Sequence, residues 1–208
     1  MDGAGPGADP RGRPSPGDPR DRAPGHGSRA GTGAVLPLRG GVELSEPASV
    51  RAAGPADVAA IAALVNEAYG VEAFFVRGPR IDEADVRHHL ETGGFLLADE
   101  TRGLAGCVYV ELRGARGYFG LLSVAPSRQG RGLGRRLVAA AEERLRAAGC
   151  REVEILVVSL RTELLSFYGG LGYVDAGTAP FPESERERLL RPCHFVVMRK
   201  ALAAPSRP

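Results

Sequence analysis

From about residue 48 the apolar and polar positions fall into blocks whose period changes along the chain. SVRAA reads as a short strand, and GPAD as a turn that places Pro55 at the start of a helix. Val58, Ile61, Ala62, Leu64, Val65 and Ala68 recur at helical spacing, which predicts that helix over 55–69. YGVEAFFVRGPR breaks the period and reads as a loop carrying two exposed phenylalanines, Phe74 and Phe75. IDEADVRHHLETG predicts a short helix closed by glycine. GFLLADE, LAGCVYVELRG and YFGLLSV, joined by the turns TRG and GARG, predict a three-stranded antiparallel meander.

The second half is equally patterned. Leu133, Leu137, Ala141, Leu145 and Ala148 form one apolar stripe, predicting a helix over 131–148 that ends at Gly149. Glu142 and Arg146 stand in the favourable i,i+4 order on its surface. EVEILVVSL is almost continuously apolar, as expected of a central strand covered on both faces. TELLSFYGGLG then predicts a short helix, YVDAGT a strand, APFPESERERLLRP a polar loop, and CHFVVMRK a last strand. The order β-α-α-β-β-β-α-β-α-β-β describes an α/β chain with a mixed sheet.

Residues 1–47 differ in kind. Rich in Gly, Pro, Arg and Asp and without apolar periodicity, they predict a disordered tail, and residues 204–208 a second, short one. Up to residue 49 six arginines face six acidic residues, so this stretch is neutral and is not expected to bind polyanions, although an Arg-rich binding arm is the competing reading. It shows no secretory signal pattern. The formal net charge of +2 is too small to argue for nucleic acid, and no apolar run reaches the ~18 residues of a membrane span. Cys107, Cys150 and Cys193 show no CxxC or metal-type spacing. They are expected to be free thiols in a reducing, cytoplasmic setting, with no metal bound.

The stretch SVAPSRQGRGLGRRL carries the chemistry. Gly130, Gly132 and Gly134 alternate at the mouth of the 131–148 helix, where unpaired N–H groups and the helix dipole favour an anion. Bare glycine backbone lets a phosphate approach closely, and Arg128, Arg131 and Arg135 are at hand, although the same glycines suit a turn that only caps the helix. A P-loop is excluded, because no Lys-Ser/Thr pair follows. The dinucleotide fingerprint is excluded too: the third glycine comes one residue early, and the preceding strand belongs to an antiparallel meander.

At these residues the chain resembles the GCN5-related N-acetyltransferases, the GNAT superfamily. Their signature is Arg or Gln, two residues, Gly, one residue, then Gly or Ala, between the fourth strand and third helix; here it stands as Gln129-Gly130-Arg131-Gly132-Leu133-Gly134. A second feature, FY followed by LGY after the fifth strand, stands as Phe167-Tyr168 and Leu171-Gly172-Tyr173. The element order matches over residues 48–201, within a domain expected to span 48–203. The resemblance implies the acyl-CoA N-acyltransferase fold, a mixed, mostly antiparallel central sheet flanked by helices.

It also implies roles. Gln129, Gly130, Arg131, Gly132, Leu133, Gly134 and the adjacent Arg135 would hold the pyrophosphate of acetyl-CoA, the acyl-donor co-substrate. Leu122, Ser123 and Val124 would offer backbone groups to the pantetheine arm, the Val124 amide polarising the thioester carbonyl. Tyr168 matches the family's general acid. The fourth strand carries no acid where relatives place a glutamate base, so Glu111 on the neighbouring strand is the substitute, with His88 and His89 near the acceptor; each also reads as a solvated charge. Ser159 stands near where relatives have a cofactor-bonding Asn. The 74–77 loop, the second helix and the 179–191 loop would wall the acceptor site, and Arg77, Arg80 and Arg87 hint at a carboxylate- or phosphate-bearing amine. The implied reaction is direct transfer of an acetyl group to a primary amine of a small molecule or protein. A non-catalytic acyl-CoA-binding sensor of the same fold is the alternative. No nucleic-acid or membrane partner is expected, and homodimerisation is common among such relatives.

Overall fold

In a computed structural model the described residues are 49–101 and 103–203; the tails at 1–47 and 204–208 lie outside them. The chain forms strands β1 (Ser49–Ala52), β2 (Gly94–Glu100), β3 (Gly103–Arg113), β4 (Arg116–Val124), β5 (Glu152–Val158), β6 (Val174–Ala179) and β7 (Phe195–Ala201). Its helices are α1 (Val58–Tyr69), α2 (Glu83–Thr92), α3 (Leu133–Ala147), α4 (Thr162–Gly169) and a four-residue α5 (Glu183–Arg186) inside the expected polar loop. The strands make one seven-stranded sheet in the order β1-β2-β3-β4-β5-β7-β6. Every pairing is antiparallel except β4 with β5.

Period-2 alternation sorts the strand side chains to two faces. On one face, Phe95, Leu97, Cys107 and Tyr109 meet Ile61, Leu64, Val65 and Val86 of α1 and α2. On the other, Val108, Val110, Phe119, Val153 and Ile155 meet the α3 stripe of Leu133, Leu137, Ala141 and Leu145. That helix lies directly on the strands: a Cβ on Gly117 would come within 2.6 Å of the Leu145 side chain, so any larger residue there would have to displace it. Helix α2 starts with a reciprocal cap, Asp82 accepting from the Asp85 amide at 2.8 Å and Asp85 from the Asp82 amide at 3.0 Å.

Four expectations are corrected. Phe74 is exposed, but Phe75 is fully buried with Phe181 and Phe195, because the 70–77 loop folds over the ends of β5 and β7. Helix α3 starts at Leu133 rather than 131, since Gly132 sits left-handed at its N-cap. Ala148 is exposed beyond the stripe. The Glu142–Arg146 pair does not form: Glu142 is buried, accepts from Lys200 Nζ at 2.8 Å on both oxygens and from the Tyr173 hydroxyl at 2.9 Å, while Arg146 pairs with Glu143. Lys200 and Arg146 are about equally half-buried, so exposure does not decide the choice; the buried Tyr173 phenol and the Lys200 ammonium together satisfy both Glu142 oxygens.

Candidate active site

The β4–β5 pairing is short. Only residues 116–118 pair with 152–154, and beyond them the two strands separate. On its other side β4 stays paired to β3, but with a bulge: Leu121 and Leu122 together oppose Val108, and Leu121 takes a left-handed φ of 49°. Past the bulge the Ala125 amide donates to the Ala105 carbonyl at 3.0 Å. Ladder alternation then directs the amide of Val124, one residue earlier, away from β3 and toward the gap.

The glycine loop sits at the open end of that gap. Gly130 and Gly132 have φ of 75° and 80°, and a Cβ on either would meet nothing within 4 Å, so the loop presents bare backbone to open space. Helix α3 makes its first bond from the Arg136 amide to the Gly132 carbonyl, 3.2 Å. Among the described residues the amides of 130–135 have no backbone acceptor, an array of donors suited to phosphate oxygens. Gln129 Nε2 donates to the Val124 carbonyl at 3.1 Å, tying loop to strand. The donor set, the helix terminus and the empty space above the glycines all fit a pyrophosphate.

Between loop and strands lies a cavity of about 670 Å³. Its floor is β4 and β5, including Leu122, Val124 and Leu156, and its mouth holds Gln129, Gly130, Gly132, Leu133, Gly134 and Arg135. Tyr168 of α4 lines it, its ring fixed by Phe119, Phe167 and Tyr173 at centroid distances of 6.1, 5.0 and 5.7 Å. Its hydroxyl makes no hydrogen bond among the described residues, and burial pushes the phenol well above the ordinary tyrosine pKa. Arg135 reaches over the Phe167 ring at 5.7 Å.

Three of the expected cofactor residues do not line this cavity, although the backbone roles expected of Arg131 and Ser123 do not depend on their side chains. Arg131 is exposed and does not line the cavity. Ser123 is buried, its hydroxyl donating to the Leu121 carbonyl at 3.1 Å. Ser159 accepts from the His194 amide at 3.3 Å, so its hydroxyl is engaged at the start of β7. In place of a side-chain amide at the end of β5 the structure has an ion pair, Arg161 Nη1 to Glu72 Oε1 at 2.7 Å. Glu72 is 3% exposed, and burial raises its carboxyl pKa against the pull of Arg80 and Arg161.

A second cavity, about 490 Å³, adjoins the first. Glu111, His88 and His89 all line it. Glu111 accepts from Arg113 at 2.8 Å, and that bond holds its carboxyl below the usual range. His89 Nδ1 lies 2.6 Å from the Asp85 carbonyl; a carbonyl only accepts, so Nδ1 carries the proton and Nε2 is left as the acceptor of the neutral ring. Of the three arginines singled out, Arg80 lines both cavities, while Arg77 is exposed and Arg87 pairs with Glu83 at 2.7 Å.

Residues 59–173, more than half of the chain, match the family model described as the acetyltransferase (GNAT) family. The chain belongs to that family. Solved GNAT structures share its fold. The phosphinothricin acetyltransferase of Sinorhizobium meliloti, in complex with acetyl-CoA, superposes with a TM-score of 0.62 at 18% identity, over 76% of this chain and 90% of that one. The ribosomal-protein-S18-alanine N-acetyltransferase of Escherichia coli gives 0.60 at 14%, over 76% and 96%. The yncA protein of Salmonella typhimurium, solved with its cofactor acetyl-CoA, gives 0.59 at 19%, over 78% and 98%. At these identities the likeness establishes the fold alone. Among curated proteins none matches the chain by sequence. No helix among the described residues is long and apolar enough to cross a membrane.

Sequence reasoning missed Tyr69 and Glu72 in this GNAT site. Neither carried a local signal: Glu72 meets Arg161 across 89 positions of chain. The β4 bulge was equally silent, since it arises from strand pairing and not from a turn residue.

Proposed function

We propose that the protein is an acetyl-CoA-dependent N-acetyltransferase that acetylates a primary amine by direct attack. One observation carries this reading. A cavity that begins at a phosphate-suited glycine loop shares six of its lining residues with a second, polar cavity, and Tyr168 stands in the wall of the first. Acyl-CoA-bound GNAT neighbours from Sinorhizobium and Salmonella support acetyl-CoA as the co-substrate.

Acetyl-CoA would supply an activated thioester. The amides of 130–135 and the Arg135 guanidinium would hold its phosphates, and the backbone of Leu122 and Val124 its pantetheine arm. The Val124 amide, facing the gap, polarises the thioester carbonyl and stabilises the oxyanion. The neutral amine attacks the carbonyl carbon, forming the C–N bond as the C–S bond breaks. Sulfur takes its proton from Tyr168, and the excess proton on nitrogen returns to the phenolate, directly or by exchange with solvent, so that one proton lost by nitrogen balances the one gained by sulfur and Tyr168 ends as the phenol. Glu111 is ionised at neutral pH and is a weak base; it serves better to orient Arg113 than to remove a proton.

A panel of amines, scored by release of free thiol from acetyl-CoA, tests the reading. Acetylated product with stoichiometric thiol is expected for at least one class. Tight acetyl-CoA binding with no turnover across small-molecule and peptide amines would favour a non-catalytic acyl-CoA sensor.

A further inference from the structure

Six residues belong to both cavities: Tyr69, Arg80, Gly120, Leu121, Leu156 and Phe195. They form the junction where donor and acceptor would meet, and Arg80 is the only charged one. Its Nε is sealed from solvent and has no hydrogen-bond partner. Buried donors are almost always satisfied, so this site leaves the guanidinium short of acceptors. No solvent-sized atom reaches Nε itself; the Nη groups, which also make no hydrogen bond among the described residues and are not sealed, are the ones a ligand acceptor would meet.

The surroundings hold Arg80 in place without neutralising it. Asn66, the only asparagine in the chain, accepts from the Arg80 amide at 2.7 Å and the Ile81 amide at 3.2 Å, and donates to the Ile81 carbonyl at 2.8 Å. The Tyr69 ring lies 5.3 Å from the guanidinium. Glu72 feels the Arg80 charge, but its carboxylate is ion-paired and hydrogen-bonded to Arg161, not to Arg80. Two other arginines line the acceptor cavity, and both are matched: Arg113 with Glu111 and Arg188 with Glu185, at 2.8 and 2.9 Å. Among the described residues Arg80 alone in that cavity lacks an ion-pair partner.

We propose that Arg80 binds the carboxylate of a free α-amino acid, which is the acetyl acceptor. This rests on the acetyltransferase reading above. The acyl end of the donor is neutral, so the anion must come with the acceptor. Arg80 stands at the junction and not at the far end of the acceptor cavity, so the anion must lie beside the attacked nitrogen. An α-amino acid has that spacing, and the guanidinium fork matches a carboxylate with two parallel bonds. A protein N-terminus carries an amide at the same position and leaves Arg80 unmet. The remainder of the second cavity receives the amino-acid side chain.

The test compares free amino acids with their amides, their decarboxylated amines, and amino acids whose two groups are separated by several methylenes. Thiol release gives kcat/KM, and calorimetry gives acceptor binding to the complex with coenzyme A. Free α-amino acids are expected to exceed every matched analogue by ~10²-fold or more in kcat/KM. Arg80→Met is expected to erase that preference through KM, with acetyl-CoA affinity unchanged, and Arg80→Lys to keep part of it. Equal turnover of amides or decarboxylated amines, turnover of no amino acid, or a preference that survives Arg80→Met would overturn the assignment while leaving the acetyltransferase reading in place. Failure of acetyl-CoA itself to bind would remove both.

Discussion

Tyr168 is placed as a proton donor needs to be, with a packed ring and a hydroxyl free of protein partners; burial raises its pKa, which keeps the phenol protonated but makes it a weaker acid. Tyr168→Phe keeps the ring packing and removes the proton, so kcat should fall by ~10²–10⁴-fold while acetyl-CoA binds as before. A fall confined to KM would assign the hydroxyl to binding. Glu111 makes the opposite case. Its carboxyl lies below the ordinary range because Arg113 bonds it, so its titration falls below neutral pH and produces no limb there. The kcat/KM profile should instead rise as the acceptor's own amine deprotonates, and Glu111→Gln should leave that profile in place. Loss of an acidic limb in that variant would make Glu111 the base. The residue scale was the hardest to read from the sequence. Tyr168 was legible because its motif is local, whereas Arg80 owes its standing to Tyr69, to Asn66 and to the lack of a carboxylate, which no spacing reveals.

Whole elements were read well where one face is apolar and the period is clear, as in the α3 stripe and the β2–β4 meander. The misreadings occur where a distant partner decides. Glu142 left its helix neighbour for Lys200 and Tyr173, and Phe75 left the loop surface for Phe181 and Phe195. The β1–α1 connection offers an element-level prediction. Asp57 accepts from Arg51 at 2.8 Å and from the Gly54 amide at 2.8 Å, in that order holding its carboxyl down at about 2, against ~3.9 for an unperturbed aspartate. A depressed carboxyl stabilises the folded state above its unfolded pKa, and that contribution fades as pH falls toward the folded one. Wild type should therefore exceed Asp57→Asn in denaturant midpoint by a constant margin at neutral pH, with the gap closing between about pH 4 and pH 2. A gap independent of pH would mean that the Arg51 contact contributes nothing electrostatic.

For the molecule as a whole, the seven-stranded sheet serves to hold two strands apart. Parallel pairing of β4 with β5 stops at Tyr118, and the space so opened is the cavity that the glycine loop guards. The sequence foretold the loop and the order of elements. The bulge at Leu121 and the six residues that the two cavities share emerge only from the folded sheet. The most direct measurement is thermal unfolding of the full chain with and without excess acetyl-CoA, beside the Gly132→Glu variant. At ~100 times the dissociation constant a ligand adds ~2.7 kcal/mol, which for a chain of this size is roughly 5–10 °C in Tm. Wild type should shift by that amount. Gly132→Glu, with a carboxylate and a Cβ placed on the bare left-handed backbone, should not shift although it still unfolds cooperatively. No shift in wild type, or an equal shift in both proteins, would contradict a pyrophosphate site at the mouth of α3.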